Sequence, residues 1–230
     1  MSKFRVCLNI GFTYLTDISS EGLLRAKHQC EHVQENNWSM DALEALQQRT
    51  SAAKLTGDVP APKVLDNLFK AALRAPDHGL LKPWRFLTIS GAARLALGDL
   101  FVKAQLADDP DMTAAQCQRA REKPLRAPLI IVVVAVITAD SKVPKVEQLL
   151  SAGAAAQNIL LAAFALGLGA IWRTGAMAYH QVVREGLELQ AHEQIVGYLY
   201  LGERQGKSRL LPSVSVSEFV SAWPGKREDQ

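Results

Sequence analysis

The chain is poor in cysteine. Cys7, Cys30 and Cys117 are the only three in 230 residues, an odd count with no Cys-x-x-Cys spacing. That excludes a disulfide framework and makes a reducing, cytoplasmic setting the expectation. Neither charge sign is in excess: 26 Lys and Arg stand against 23 Asp and Glu, a net charge of +3. Such a balance is no polyanion-binding composition, so no nucleic-acid partner is implied. A small phosphorylated ligand still suits it. The chain also lacks Gly-x-Gly-x-x-Gly after a strand, a P-loop, Gly-x-Ser-x-Gly and His-Glu-x-x-His, which leaves hydrolase and kinase readings without support. His28-x-Cys30-x-His32 has no second ligand pair to complete a zinc site, so no metal is expected. Cys117 has no basic pair arranged to activate it and reads as packing. No internal repeat or low-complexity segment occurs.

Long apolar runs are nearly absent, with one exception. From Gln148 to Trp172 there is no charged residue, which is long enough to span a bilayer. Gln157 and Asn158 at its middle, and alanine and glycine in place of leucine, point instead to a helix buried in protein, with no membrane partner. Residues 1–39 carry neither a clean apolar core nor a small-residue cleavage site, so they are no signal peptide. Strong patterning begins at Met40. The division expected is an N-terminal extension over 1–39, disordered or an over-extended start, and one folded domain over 40–230.

From Asp41 the pattern is helical, with Ala42, Leu43, Ala45 and Leu46 on one face. It delivers Arg49, Thr50, Ser51 and Lys54, a forked donor, two hydroxyls and a point charge that match the needs of a phosphate. Residues 57–61 read as a linker, and Pro62 opens a second helix that ends at Arg74. Arg74-Ala75-Pro76-Asp77-His78-Gly79-Leu80-Leu81-Lys82-Pro83-Trp84 is the stretch around which the chain is organised. Pro76 stops the helix, Asp77-His78-Gly79 is turn chemistry, and Pro83 delays the next strand. Arg74 and His78 are therefore presented on a stiff loop between a helix and a strand, where binding residues concentrate.

Residues 86–89 read as a strand, 92–106 as a helix and 113–123 as a shorter one. The β-branched run over 129–136 reads as a central strand covered on both faces. The long helix follows, over 146–166, apolar or small on all sides. It is expected to be buried all round, with the small face at Ser151–Ala156 allowing close two-fold packing against a second copy. Ala170-Ile171-Trp172-Arg173-Thr174 is an apolar strand running into polar residues, 181–187 a short helix, and 195–202 the last clear strand. Strands and helices intermix, which makes the class α+β or α/β. Two arginine-bearing clusters suit a phosphate, and a tryptophan with an arginine suits an aromatic ring that bears negative charge.

From Met40 onward the sequence resembles the compact branch of the FMN-dependent NAD(P)H nitroreductase family. The resemblance rests on Met40-Asp41-Ala42-Leu43-Glu44 with Arg49-Thr50-Ser51, Arg74-Ala75-Pro76-Asp77-His78 with Pro83-Trp84, Arg126-Ala127-Pro128-Leu129-Ile130, Val143-Pro144 with Glu147-Gln148, Ile171-Trp172-Arg173-Thr174-Gly175, and Ile195-Val196-Gly197 with Leu201-Gly202. It runs in one order through residues 40–202. It implies an α+β fold, a mixed sheet flanked by helices, and an intertwined homodimer with its long helix at the interface and FMN between the subunits. It implies that FMN is held by Arg49, Thr50, Ser51, Arg74, His78, Trp172, Arg173 and Thr174. It further implies a contact of NADH or NADPH with Ala162, Ala163, Phe164, Ala165, Leu166 and Gly167. Thr50 and Lys54 depart from the pattern, where arginines are common. No catalytic side chain is implied, because the flavin carries hydride from the nicotinamide to an electron-poor small molecule such as a nitroaromatic or quinone. Arg173, with Arg74 next, is the candidate to stabilise charge on the ring. A flavin-binding protein with little turnover is the alternative.

Overall fold

A computed structural model of the chain describes residues 40–208 and 210–223; the expected extension over 1–39 lies outside them. Five strands occur among the described residues: β1 (Leu55–Thr56), β2 (Trp84–Ser90), β3 (Leu129–Val136), β4 (Gly169–Arg173) and β5 (Glu193–Arg204). Six α-helices accompany them: α1 (Ala42–Gln48), α2 (Pro62–Ala72), α3 (Ala93–Asp108), α4 (Ala114–Arg121), α5 (Lys145–Ala165) and α6 (Gln181–Gly186). The helix starts follow local chemistry. The Asp41 carboxylate accepts from the amides of Leu43 and Glu44, Pro62 occupies the first turn of α2, and Thr113 with Gln116 forms a capping box on α4.

The strands form one sheet in the order β1-β5-β3-β2, with β4 also paired to β5. Every pairing is antiparallel, which corrects the expectation of a mixed sheet: each connection returns the chain beside a neighbour that runs the opposite way. β3 is the buried centre, and its β-branched residues serve two cores. Leu129, Ile131 and Val133 meet Leu68 and Ala72 of α2 and Ala155 and Ile159 of α5. Ile130, Val132 and Val134 meet Leu97 and Phe101 of α3 and Val183 of α6. These strand residues have at most 1% exposure. Each contributes about 1.5–3 kcal/mol by burial.

Two boundaries differ from the sequence reading. β1 lies just before the segment read as a linker. Two residues carry no periodic signal, and the strand exists because Leu55 and Thr56 pair with Arg204 and Glu203. β2 begins at Trp84, directly after Pro83, because Trp84 already pairs with Ala135. At that end of the sheet Arg85 donates Nη2 to Glu193 Oε2 at 2.7 Å, and Nε to the other carboxylate oxygen.

The long helix forms as expected but is not covered all round. Ala152, Ala155 and Ala156 are fully buried in the subunit's own core, and Ser151 has 3% exposure. Ser151, Ala152, Ala155 and Ala156 meet α2 and the sheet, which need short side chains opposite them, while Gly153 and Ala154 stay partly exposed. The outward stripe is Val146, Leu150 and Gln157, with Leu150 65% exposed. By length and composition α5 is apolar enough to cross a membrane, yet Gln157 is exposed and Gln148, Ser151 and Asn158 are bonded within the protein. Gln148 bonds Thr138 at both backbone groups and the carbonyl of Val143, while Asn158 donates to the carbonyl of Ala71 at 3.0 Å. Those bonds satisfy the groups that make the run too polar for hydrocarbon.

Candidate functional site

Two of the three polar clusters meet along one open strand edge. β4 pairs with β5 through Gly169↔Gly202, Ile171↔Tyr200 and Arg173↔Tyr198. Its other edge receives one bond, from the amide of Ala52 to the carbonyl of Ala170 at 2.9 Å. Polar groups alternate in direction along a strand, so Trp172 and Thr174 turn theirs the same way as Ala170. Among the described residues neither has a backbone partner there. Arg49-Thr50-Ser51 sits at the Ala170 end of this edge and Trp172-Arg173-Thr174 at the other. The span is about 13 Å at the usual rise per residue.

Arg204 fixes the first cluster. Its Nη1 donates to Thr50 Oγ1 at 2.9 Å and its Nη2 to the Thr50 carbonyl at 3.0 Å. Thr50 is thereby a held residue, its hydroxyl oxygen occupied. Arg49 and Ser51 flank it with no side-chain hydrogen bond among the described residues, and the Lys54 carbonyl accepts from the Gln205 amide at 3.1 Å. Strand pairing thus brings Arg49, Ser51, Lys54 and Arg204 to one corner of the sheet. Sequence reasoning missed Arg204: its partner lies 154 positions away, and no local pattern announces a bond made by strand pairing.

Trp172 and Arg173 project from opposite faces of the sheet. Trp172 belongs to the α2–α5 side, where an added Cβ at Gly153 would lie 4.0 Å from its ring. Gly197 gives the indole its place: a Cβ there would stand 2.0 Å from Trp172 Nε1. Arg173 projects to the α3 side, its guanidinium 5.7 Å from the centre of the Tyr200 ring and its Nε buried with no partner. A cleft of about 480 Å³ opens on this side, lined by Arg173, Thr174, Gly175, Tyr198 and Tyr200 together with Lys123 and Arg126 from the turn after α4. Burial pushes the Tyr200 phenol above its usual range, and the Arg173 and Arg126 charges pull it partly back. Burial pushes the Tyr198 phenol higher still, with Tyr200 adding to it, and that hydroxyl donates to the Met177 carbonyl at 3.0 Å. Both remain neutral donors near pH 7. Sequence reading quoted Arg126 without a role and passed over Lys123 and the two tyrosines, which look like ordinary strand residues until the sheet brings them under Arg173.

The third cluster stands apart in one subunit. The amide of Lys82 donates to Asp77 Oδ2 at 2.7 Å, and Gly79, Leu80 and Lys82 all have positive φ, 70°, 55° and 49°. Leu80 and Lys82 each cost on the order of 1 kcal/mol in that region, so the loop is strained. It joins the sheet at Trp84 beside Ala135, whereas Arg49–Ser51 joins at the Leu129–Leu201 end. The two ends are about 20 Å apart along β3. Arg74 and His78 are exposed and line no part of the cleft. The segment Ala162–Gly167 is the end of α5 and its turn. Ala163 is fully buried, and the amides of Leu166, Gly167 and Leu168 close the helix end on Ala162, Phe164 and Ala163. It offers a nucleotide the exposed Gly167 and the partly exposed Phe164 and Ala165.

Comparison with known proteins is consistent across sequence and fold. A family model described as "Nitroreductase family" matches residues 46–203. The Escherichia coli (strain K12) protein named "Putative NAD(P)H nitroreductase YdjA" is 43% identical over 74% of this chain and 91% of its own. A Haemophilus influenzae protein named "Putative NAD(P)H nitroreductase" is 34% identical over 79% of this chain and 99% of its own. Among solved structures, a nitroreductase-like family protein from Bacillus cereus superposes with a TM-score of 0.72 at 23% identity, covering 81% of this chain and 97% of that one. A Desulfovibrio desulfuricans protein solved in complex with FMN superposes with a TM-score of 0.60 at 25% identity, covering 81% and 98%.

Proposed function

The chain belongs to the nitroreductase family, a family of oxidoreductases, and on that premise we propose that residues 40–230 form an FMN-dependent enzyme. It takes electrons from NADH or NADPH and delivers them to a nitroaromatic, quinone or similar electron-poor acceptor. The observation that carries this reading is the open edge of β4, with the Arg49–Lys54 segment and Arg204 at one end and backbone amides without a partner among the described residues at the other. A mononucleotide with a flat polar ring needs that combination over that span. Arg49, Ser51 and Lys54 would hold the phosphate, with Arg204 keeping the Thr50 segment in place. Trp172 and Thr174 would offer amides to the polar edge of the ring, and the Arg173 guanidinium would bring positive charge to that end of it. When bound, FMN supplies hydride chemistry between nicotinamide and acceptor. The chain's own work is to position, to exclude water and to supply positive charge, so no protein nucleophile is required.

The distance between the His78 loop and Arg49–Ser51 supports a site completed by two subunits, with Arg74 and His78 reaching the flavin of the other copy. Exposed apolar residues support such a homodimer. Leu150 on α5 is 65% exposed, and Phe219 and Trp223 in the C-terminal segment are 77% and 88% exposed. The test is the absorbance spectrum of the purified protein. Stoichiometric FMN that bleaches under anaerobic NADH or NADPH, and recovers on adding a nitroaromatic, is the expected result. A colourless protein that takes up no FMN would falsify the reading. A flavin that stays oxidised would identify a flavin-binding protein without turnover.

A further inference from the structure

We propose that the cleft beside Arg173 receives the carboxylate of a flat, conjugated electron acceptor, and that Arg126 and Lys123 set a preference for anionic over neutral acceptors. The proposal rests on the oxidoreductase reading above and narrows its substrate class. The cleft contains three cationic side chains, Lys123, Arg126 and Arg173, and no carboxylate among its lining residues. None of the three has an ion-pair partner among the described residues. Surface cations normally sit in reach of acidic neighbours or of open water. Here Lys123 is half-buried, and the Arg173 Nε is buried with no acceptor among the described residues. A buried donor without a partner costs on the order of 1–3 kcal/mol, and an anion from outside removes that cost.

The cleft holds about 480 Å³, a volume in the range of small-ligand sites. Phe101, Met177, Tyr198 and Tyr200 close its floor with at most 8% exposure each, so the cations at its rim are what a ligand meets. A flat, conjugated acceptor is what a flavin serves on the reading above, and its carboxylate takes the forked donors of Arg126 or Arg173. The cleft adjoins Thr174 and Gly175, so a molecule seated there lies beside the end of the β4 edge assigned to the ring. Arg126 is exposed and Lys123 half-buried, so neutral replacements at either position leave the fold intact.

Benzoate and benzamide are a matched pair of probes, equal in shape and different in charge. Each is titrated calorimetrically into the purified protein, and KM is compared for 4-nitrobenzoate and 4-nitrobenzamide. Benzoate should bind on the order of tenfold more tightly than benzamide, with the preference falling as salt rises. Arg126→Gln and Lys123→Gln should each remove most of that preference at unchanged FMN content, and Arg126→Lys should keep part of it. Equal binding of the two probes overturns the proposal. So does loss of FMN from Arg126→Gln, which assigns the cations to the cofactor's phosphate, or a change confined to NADPH affinity, which assigns them to the nucleotide. The titration needs no turnover. A protein without flavin therefore defeats the earlier reading while the charge preference of the cleft is still measured separately.

Discussion

Gly197→Ala tests the packing that holds Trp172 at the site. Gly197 is not among the glycines with positive φ, so its backbone accepts alanine and only space forbids it. The new methyl would stand 2.0 Å from Trp172 Nε1 and 2.7 Å from Cδ1, far inside van der Waals contact. Gly197 pairs with Val133 of β3, beside the register shift between Val133 and Val134, and the strand bonds on that side resist its retreat. The indole is partly exposed and must swing out. If it gives up about 80 Å² of buried contact, the loss is about 2 kcal/mol at roughly 25 cal/mol per Å². Removing a glycine from the unfolded ensemble returns about 0.4–1 kcal/mol. The net destabilisation is about 1–2 kcal/mol, a melting temperature lower by roughly 3–6 °C for a domain of this size. The assay is thermal unfolding of four proteins: wild type, Gly197→Ala, Trp172→Ala and the double variant. With the indole removed, alanine at 197 should be neutral or mildly stabilising, which gives a coupling of about 1–2 kcal/mol between the two positions. A Gly197→Ala cost that is the same in both backgrounds refutes the argument, because the damage would then lie in the backbone of β5.

Three further substitutions probe assembly and electrostatics. Leu150→Arg, on the outward stripe of α5, should give a soluble monomer depleted in FMN, whereas Ala155→Arg should fail to fold because a charge enters the fully buried core; sedimentation with flavin absorbance checks both, and a dimeric, flavin-loaded Leu150→Arg protein would place the interface elsewhere. The hydrogen bond from Arg85 holds the Glu193 carboxyl below its usual range, with burial opposing it. Glu193→Gln should therefore cost about 1–2 kcal/mol at neutral pH, discounted because the Arg85 side chain is 34% exposed. A depressed carboxyl contributes fully above the unfolded carboxyl range and loses that contribution as pH falls through its folded value. Urea denaturation of both proteins at about pH 7 and about pH 3 should show the gap closing in acid, and a constant gap would remove Arg85 as the cause.

Local chemistry was legible in the residues themselves. The β-branched run of β3, the caps at Asp41 and Thr113, the stop at Pro76 and the length of α5 each follow from short-range rules, and each element forms close to where those rules place it. So do the three polar clusters, since each sits where an element ends. The sequence by itself therefore determined the longer elements and the residues at their ends, but not β1, which is a strand only through its pairing with β5. Only the tertiary structure decided which ends meet. β4 exposes the amides of Trp172 and Thr174 on the same edge as Arg49–Ser51 because of the register between β4 and β5, and Arg204 reaches Thr50 because β5 overshoots its partner strand. Arg173 stands over Tyr200 for the same reason, with Arg126 brought in by the turn after α4. Most of the small face of α5 turned inward because α2 and the sheet needed short side chains opposite it. These are contacts between residues far apart in the chain, set by pairing register and by which face of a helix finds the larger apolar surface, and no periodicity within a single element encodes either.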